Sequence, residues 1–150
     1  MVGIIAQLND ISITNTHKTH DLLDKVIASV YDIYKDDNIR FNQQNVAFEY
    51  KINDTYTMII GRDLNAFAVI TRVVNTNSNN DVVGECVIDI SGAYNRRFGE
   101  IDTDVRTNIA AVFAAIGNID TTLLESSTPS EEAESPAEPE KVEAEVVSEG

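Results

Sequence analysis

The sequence predicts an α+β fold, in which a mainly antiparallel sheet of four to five strands carries two packed helices in the order β-α-β-β-β-β-α. Two stretches, residues 22–34 and 105–116, place apolar side chains three and four residues apart, as one buried face of a helix requires. Between them, segments of alternating apolar and polar residues are separated by polar turns, which is typical of antiparallel strands.

The N-terminal region is predicted to form a strand, or a bent pair of strands, because apolar and polar residues alternate over residues 4–13. Residues 15–19 form a polar break that is rich in residue types that cap helices. Over residues 21–35 the apolar spacing becomes helical, with acidic residues at the start and Lys35 at the end, as the helix dipole favours. A first helix is therefore predicted over residues 21–35.

Four strands are predicted between the helices, over residues 46–52, 56–61, 66–74 and 82–90. The third of these is apolar on both faces apart from Thr71 and Arg72, which is typical of a central strand. In the fourth, Cys86, Ile88 and Ile90 alternate and point to one face. Polar turns rich in Asn separate the strands.

A second helix is predicted over residues 105–116, with Asp102 or Thr103 as its N-cap and Gly117 as its C′ residue. Alanines beside its apolar stripe allow a sheet or another helix to approach closely. The predicted core consists of Leu23, Val26, Ile27, Val30, Phe67, Val69, Ile109, Val112, Phe113 and Ile116.

The composition changes abruptly after residue 124. Residues 125–150 carry nine Glu and one Lys, all three prolines and no aromatic residue. Such a segment buries too little apolar surface to offset its ordering entropy. Residues 1–124 are therefore predicted to form a globular domain, and residues 125–150 a disordered acidic Glu/Pro/Ser tail. Nine Glu less one Lys give −8 for the tail, and the net charge of −14 leaves −6 on the domain. This charge disfavours nonspecific binding to duplex DNA or to an anionic membrane.

Few side chains suggest catalysis or metal binding. His17 and His20 lie three residues apart, but no third zinc ligand is fixed by spacing, so they are interpreted as surface or capping residues. Cys86 lies in an apolar strand, where a free cysteine behaves as a small hydrophobic residue. No glycine-rich phosphate-binding motif and no nucleophile motif occurs in the sequence. Neither an enzyme nor a bound cofactor or metal is predicted.

Two adjacent arginines, Arg96 and Arg97, stand out in the segment GAYNRRFGEIDTD. The segment is predicted to join the last strand to the second helix, a location that suits an anion. One interpretation is that the arginines pair with Glu100, Asp102 and Asp104, or with an acidic group of a partner. The other is that arginines and nearby aromatic residues hold a single nucleic-acid strand. The candidate partner- or anion-binding residues are Arg40, Tyr94, Arg96, Arg97 and Phe98.

The order of elements resembles that of two groups of proteins. Four strands followed by a helix are similar to Whirly-type single-strand binders, and an acidic C-terminal segment is typical of several phage and bacterial single-strand-binding proteins. The same order is similar to the small acidic chaperones of type III secretion and to YbjN-like domains. The first resemblance implies binding to a single strand, and the second implies binding to protein.

The sequence therefore leads to three hypotheses, all in the cytoplasm because no signal peptide or apolar span is predicted. A phage or viral protein would lie in the host cytoplasm. The first hypothesis is a non-enzymatic protein-binding accessory protein, of adaptor, chaperone or inhibitor type, with a mobile acidic tail. The second is a single-stranded nucleic-acid-binding protein whose acidic tail is autoinhibitory. The third is a virion structural component. A homodimer is compatible with each.

Overall fold

The computed structural model describes residues 2–125, with side chains from residue 10 onward. Residues 18–124 form one compact unit, and the described residues before and after it belong to another. Beyond Glu125, the predicted acidic tail lies outside the described residues. None of the described helices combines the length and the apolar character that crossing a membrane requires.

The structure has two helices and one six-stranded sheet, so the α+β class is confirmed, whereas the predicted strand count and element order are wrong. Every strand pairs antiparallel with the next along the chain, in the spatial order β1-β2-β3-β4-β5-β6. The helices are α1 (Val2–Tyr34) and α2 (Thr103–Gly117), followed by a single 3-10 turn (Thr121–Leu123). The strands are β1 (Arg40–Asn42), β2 (Ala47–Lys51), β3 (Tyr56–Asp63), β4 (Ala68–Asn75), β5 (Asp81–Asp89) and β6 (Tyr94–Phe98).

The predicted N-terminal strand and the polar break after it are both helical in the structure, as parts of α1. Ile4, Leu8 and Ile11 are also spaced four and three residues apart, so the same apolar residues satisfy the helical period. Ile11 and Ile13 are 56% and 54% exposed, so their alternation does not mark a buried strand face. The helix ends at Tyr34, and Lys35 follows with a left-handed backbone at φ +54° and an N–H that donates to Tyr31 O at 2.7 Å.

Strand β6 occupies the segment that was predicted to be a strand-to-helix turn. The chain reverses after β5 through Gly92, which has φ +92°. Asp89 Oδ1 stabilises this turn by accepting from the N–H groups of Ser91 and Ala93 at 2.9 and 3.1 Å. The second additional strand, β1, forms a hairpin with β2.

The core lies between one face of the sheet and both helices. Tyr34 of α1 packs on Tyr50 of β2, with ring centroids 5.0 Å apart. Phe113 of α2 stacks on Phe98 of β6 at 5.2 Å. The predicted core residues are buried with two exceptions, since Ile27 is partly buried and Phe67 lies half-buried in a hairpin turn at φ +50°. The core also contains Leu22, Tyr50, Tyr56, Met58, Ile60, Val73, Cys86, Ile88, Ile101 and Leu124.

The ends of α2 differ in detail from the prediction. Asp102 is the N-cap residue, but its side chain makes no capping hydrogen bond. Its main-chain N–H instead donates to Tyr56 Oη at 3.1 Å. Gly117 is the last helical residue rather than C′, and Asn118 follows as the C-cap. A Cβ on Gly117 would lie 2.8 Å from the Tyr94 ring, so the glycine permits close packing here.

Candidate functional site

The face of the sheet opposite the core is the main candidate for a functional surface. Successive side chains of a strand point to opposite faces, so residues that alternate with the core positions lie on this second face. We call it the open face, because none of its side chains belongs to the core that the described helices share. Its residues include Arg40, Ala47, Glu49, Ile59, Gly61, Ala68, Ile70, Arg72, Val74, Glu85, Val87, Asn95 and Arg97.

One row of directly paired residues crosses the open face through all six strands. We call it the charged row, and in spatial order it consists of Arg40, Glu49, Ile59, Arg72, Glu85 and Arg97. The Glu85 carboxylate accepts from Arg72 Nε at 2.7 Å and from Arg97 Nε at 3.4 Å. Because one carboxylate pairs with two arginines, this end of the charged row keeps a net positive charge.

At the other end of the charged row, Glu49 is held by amides rather than by an arginine. Its Oε2 accepts from Asn42 Nδ2 at 3.0 Å and from Asn45 Nδ2 at 3.1 Å. Arg40, although opposite Glu49 in the register, donates to Asn38 Oδ1 at 3.1 Å. The row therefore presents cations at both edges of the sheet.

Beside the charged row, the open face is apolar. Ala47, Gly61, Ile70 and Val87 form the adjacent cross-strand row. Because Ala47 and Gly61 are small, the surface is indented into a groove of about 410 Å³. Ile59 and Ile70 line this groove together with the polar residues Asn45, Arg62, Arg72 and Asn80. Ile59 and Ile70 are half-buried, so they present apolar surface to this groove.

Val46 stands at the lip of the same groove in a strained conformation. It is 60% exposed and has φ +50°, the left-handed region that β-branched residues rarely adopt. The hairpin imposes this conformation, since Asn42 Oδ1 accepts from the N–H of Gln44 at 2.9 Å and holds the start of the turn. A left-handed L-residue costs roughly 1–2 kcal/mol, and an exposed valine offers little packing in return.

The structure separates the candidate residues that the sequence predicted. Arg40 and Arg97 lie at opposite ends of the charged row, five strand spacings or about 24 Å apart. Tyr94, Arg96 and Phe98 lie on the other face of β6, on the side of the core. Only these three come together, with the Arg96 guanidinium carbon 5.7 Å from the centroid of the Phe98 ring.

The predicted ion pairs of the two arginines with Glu100, Asp102 and Asp104 are wrong. In the part of the chain that the structure describes, the ion pair of Arg97 is with Glu85, and no ion pair within 4.0 Å involves Arg96. The reason is that β6 is a strand, so the two arginines point to opposite faces of the sheet rather than together toward the start of α2.

The aromatic side chains of the strands lie on the core side of the sheet. Tyr94 Oη donates to Phe113 O at 2.6 Å, and Phe98 stacks on Phe113. Tyr50 is 5% exposed and Phe48 packs against the core, whereas Phe41, on the same face as Phe48, is 47% exposed. Among the described strands, the open face carries no aromatic side chain.

Three buried or half-buried groups, a thiol and two phenols, have strongly raised pKa values. Burial raises the pKa of the Cys86 thiol to about 12, although the neighbouring Thr71 hydroxyl opposes the shift. Burial also raises the pKa of Tyr34 to about 12, and burial with the hydrogen bond to Asp36 does the same for Tyr50. These groups are neutral at ordinary pH, so none of them is an activated nucleophile.

The two histidines lie within α1 rather than at a helix-capping loop. His20 contacts Arg62 Nη1 through its Nε2 atom. Among residues 2–125, no group of three or more His, Cys, Asp or Glu side chains is arranged to hold a metal ion.

Comparison with protein-family models, with curated proteins and with solved structures finds no match to this chain. The central residues of the open face were not predicted as a site, although Ile70 belongs to the segment that is apolar on both faces. That pattern was interpreted as a buried central strand, whereas it also signals a second apolar surface.

Proposed function

We propose that the chain is a non-enzymatic protein-binding accessory protein, of adaptor, chaperone or inhibitor type, that binds its partner on the open face. The observation that carries the proposal is the groove lined by Ile59 and Ile70, with the strained and exposed Val46 at its lip.

The composition of the open face supports this proposal. Protein-binding surfaces combine an apolar centre with a polar rim that fixes orientation. Here Ile59 and Ile70 form the centre, and the charged row supplies fixed charges beside it. The small residues Ala47 and Gly61 let a partner's side chain approach the backbone of the sheet.

The strain at Val46 is a second, independent support. An exposed residue that destabilises its own turn is retained only if something offsets the strain, and such outliers cluster at functional sites. Insertion of the Val46 side chain into an apolar partner surface would supply that compensation.

The experiment is affinity capture from cells of the source organism with the full-length protein, after nuclease treatment. Ile70→Glu places a charge in the centre of the groove, and Val46→Asn removes the apolar side chain at its lip. Tyr31→Glu is the matched control, because Tyr31 is 47% exposed on α1 and lies outside the open face. Thermal melts establish that each variant is folded.

We expect the same proteins to be captured by the parent protein and the Tyr31 variant, and to be lost with either groove variant. If Ile70→Glu and Val46→Asn capture the same proteins as the parent protein, the proposal is contradicted. Recovery of nucleic acid when nuclease is omitted, with no protein that depends on the groove, would favour the single-strand hypothesis instead.

A further inference from the structure

The outer edge of β6 has the main-chain groups of an unpaired strand. Asp89 N–H donates to Ala93 O at 3.0 Å, and Gly99 N–H donates to Val83 O at 2.6 Å. In an antiparallel pair, every second residue of a strand directs its N–H and C=O groups toward the neighbouring strand. Counting from these two bonds, Asn95 and Arg97 direct their N–H and C=O groups toward β5. The groups that point away from β5 belong to Tyr94, Arg96 and Phe98. No further strand pairs with this edge among the described residues.

The same edge carries concentrated positive charge. Arg97, on the open face, shares the single Glu85 carboxylate with Arg72. On the other face, Arg96 and Arg106 approach one Phe98 ring, with guanidinium carbons 5.7 and 4.8 Å from its centroid. None of the ion pairs within 4.0 Å that the described residues make neutralises these two arginines. The edge therefore carries cations on both faces in a strongly acidic chain.

We propose that β6 receives an extended acidic segment of a partner protein as a seventh strand. This inference rests on the proposed protein-binding function and adds the chemical class of the partner. Main-chain hydrogen bonds to the three outward-facing residues would supply affinity, as in other cases of strand addition. Because neighbouring side chains of a strand point to opposite faces, two consecutive acidic residues would meet Arg96 on one face and Arg97 on the other.

The opposite edge of the sheet is less suited to this role. Strand β1 has three residues, whereas β6 has five, so β1 offers fewer outward main-chain groups. A second copy of this chain is also a poor occupant of the β6 edge. Antiparallel pairing of two β6 strands over their full length would set Arg96 directly opposite Arg96 of the other copy, and like charges in that position are destabilising.

The test uses the full-length protein and a synthetic acetylated heptapeptide, TVTEEVT, with TVTQQVT as the uncharged control. We expect the glutamate peptide to bind about tenfold more tightly than the glutamine peptide at low salt. In NMR hydrogen exchange, the N–H groups of Tyr94, Arg96 and Phe98 should gain protection. The N–H groups of Asn95 and Arg97, which already bond to β5, should not change. A peptide N-methylated along its pairing edge keeps its charge and should not bind.

Three variants test the role of charge. Arg96→Ala combined with Arg97→Ala should weaken binding of the glutamate peptide about tenfold. Glu85→Gln should strengthen it about twofold to fivefold, because it removes the carboxylate that competes for Arg97. Lys51→Ala is the matched control, because Lys51 is an exposed cation near the far edge that pairs with Asp54 at 3.3 Å, and it should have no effect.

Absence of amide changes at about 1 mM peptide would overturn the proposal and would mean that the arginines only prevent unwanted strand pairing. Binding without protection of the outward amides, or tighter binding of oligo-dT than of the peptide, would overturn it as well. So would concentration-dependent dimers joined through β6. Capture of partners that requires Ile70 but not Arg96 and Arg97 would overturn the edge inference and leave the proposed function in place.

Discussion

The ring of Tyr94 in β6 lies against Gly117 at the last turn of α2, in the space that a side chain at position 117 would occupy. Its hydroxyl group donates to Phe113 O at 2.6 Å, one turn earlier on the same helix. The edge strand and the C-terminal end of α2 are thereby held together by a ring contact and a hydrogen bond.

Gly117→Ala should destabilise the protein, although alanine is the better helix former by about 1 kcal/mol. The new Cβ would meet the Tyr94 ring at 2.8 Å, and overpacking typically costs about 1–3 kcal/mol. Urea denaturation would measure the change. The Tyr94→Ala, Gly117→Ala double variant should recover the helix-propensity gain relative to Tyr94→Ala alone. If Gly117→Ala alone stabilised the protein, the Tyr94 ring would have to lie farther than 2.8 Å from a Cβ at position 117.

Phe113→Ala should lower the free energy of unfolding by about 3–5 kcal/mol. Phe113 is fully buried, and its ring stacks on Phe98 at 5.2 Å. Urea melts of Phe113→Ala and of Tyr31→Ala, an exposed aromatic control, would establish the difference. A loss below about 1 kcal/mol would contradict the central place of α2 in the core.

Replacing Val46 by Asn should raise the free energy of unfolding by about 1 kcal/mol, because asparagine tolerates left-handed backbone far better than a β-branched residue. Val46 is 60% exposed at φ +50°, so little packing is lost. Thermal melts would measure the gain, with Val82→Asn as a control at an exposed strand residue that has no such strain. If Val46→Asn both stabilises the protein and abolishes partner capture, then Val46 lowers stability but is required for binding.

Stability should fall as pH rises above about 9. The folded state raises the pKa of Cys86 from 9.0 to about 12, so the native protein keeps a proton that the unfolded chain releases. The raised pKa of Cys86 contributes fully to the free energy of unfolding below pH 9. This contribution is lost as pH rises toward 12, at up to about 1.4 kcal/mol per pH unit. Tyr34 and Tyr50 act in the same direction from pH 10 upward. Urea midpoints from pH 8 to 11 should therefore begin to fall about one unit later in Cys86→Ala, and an unchanged onset would contradict burial of the thiol.

Deleting residues 125–150 distinguishes protein binding from single-strand binding. If the arginines held a nucleic-acid strand, removal of a tethered segment with nine Glu should tighten oligo-dT binding, most strongly at low salt. If the protein instead binds other proteins, the Kd of the truncated protein for oligo-dT near physiological salt should stay above about 1 μM. Fluorescence anisotropy would measure it. Submicromolar binding that is lost in Arg96→Ala with Arg97→Ala would establish the single-strand hypothesis.

The inner elements of the fold could be predicted because their two periods are distinct in the sequence. Strands β2 to β5 alternate over five or more residues, and α2 carries apolar residues at helical spacing. The start of α1 could not be predicted in this way, because the alternation of Ile4 with Leu8 and of Ile11 with Ile13 competes with the helical spacing of Ile4, Leu8 and Ile11. Only the length of the helix, which depends on its whole context, decides between them.

The candidate site was predicted only in part because strand β6 lacks the usual signals. Its alternation is carried by Tyr94 and Phe98, with Arg96 between them, so a core-facing position holds a charge. The Ser91-Gly92 turn before it was the available signal for a hairpin. Without that strand, the two arginines were expected to act side by side, whereas the pleat directs them to opposite faces.

The meander order of the sheet has a kinetic consequence. Each connection between successive strands has four or five residues, so every strand pairing in the sheet closes a short loop. Short closures cost little chain entropy before the contacts form, and proteins dominated by such local contacts fold faster than β-sheets built from distant segments. We therefore expect the sheet to grow hairpin by hairpin and the protein to refold within milliseconds, faster than a Greek-key sheet of equal size.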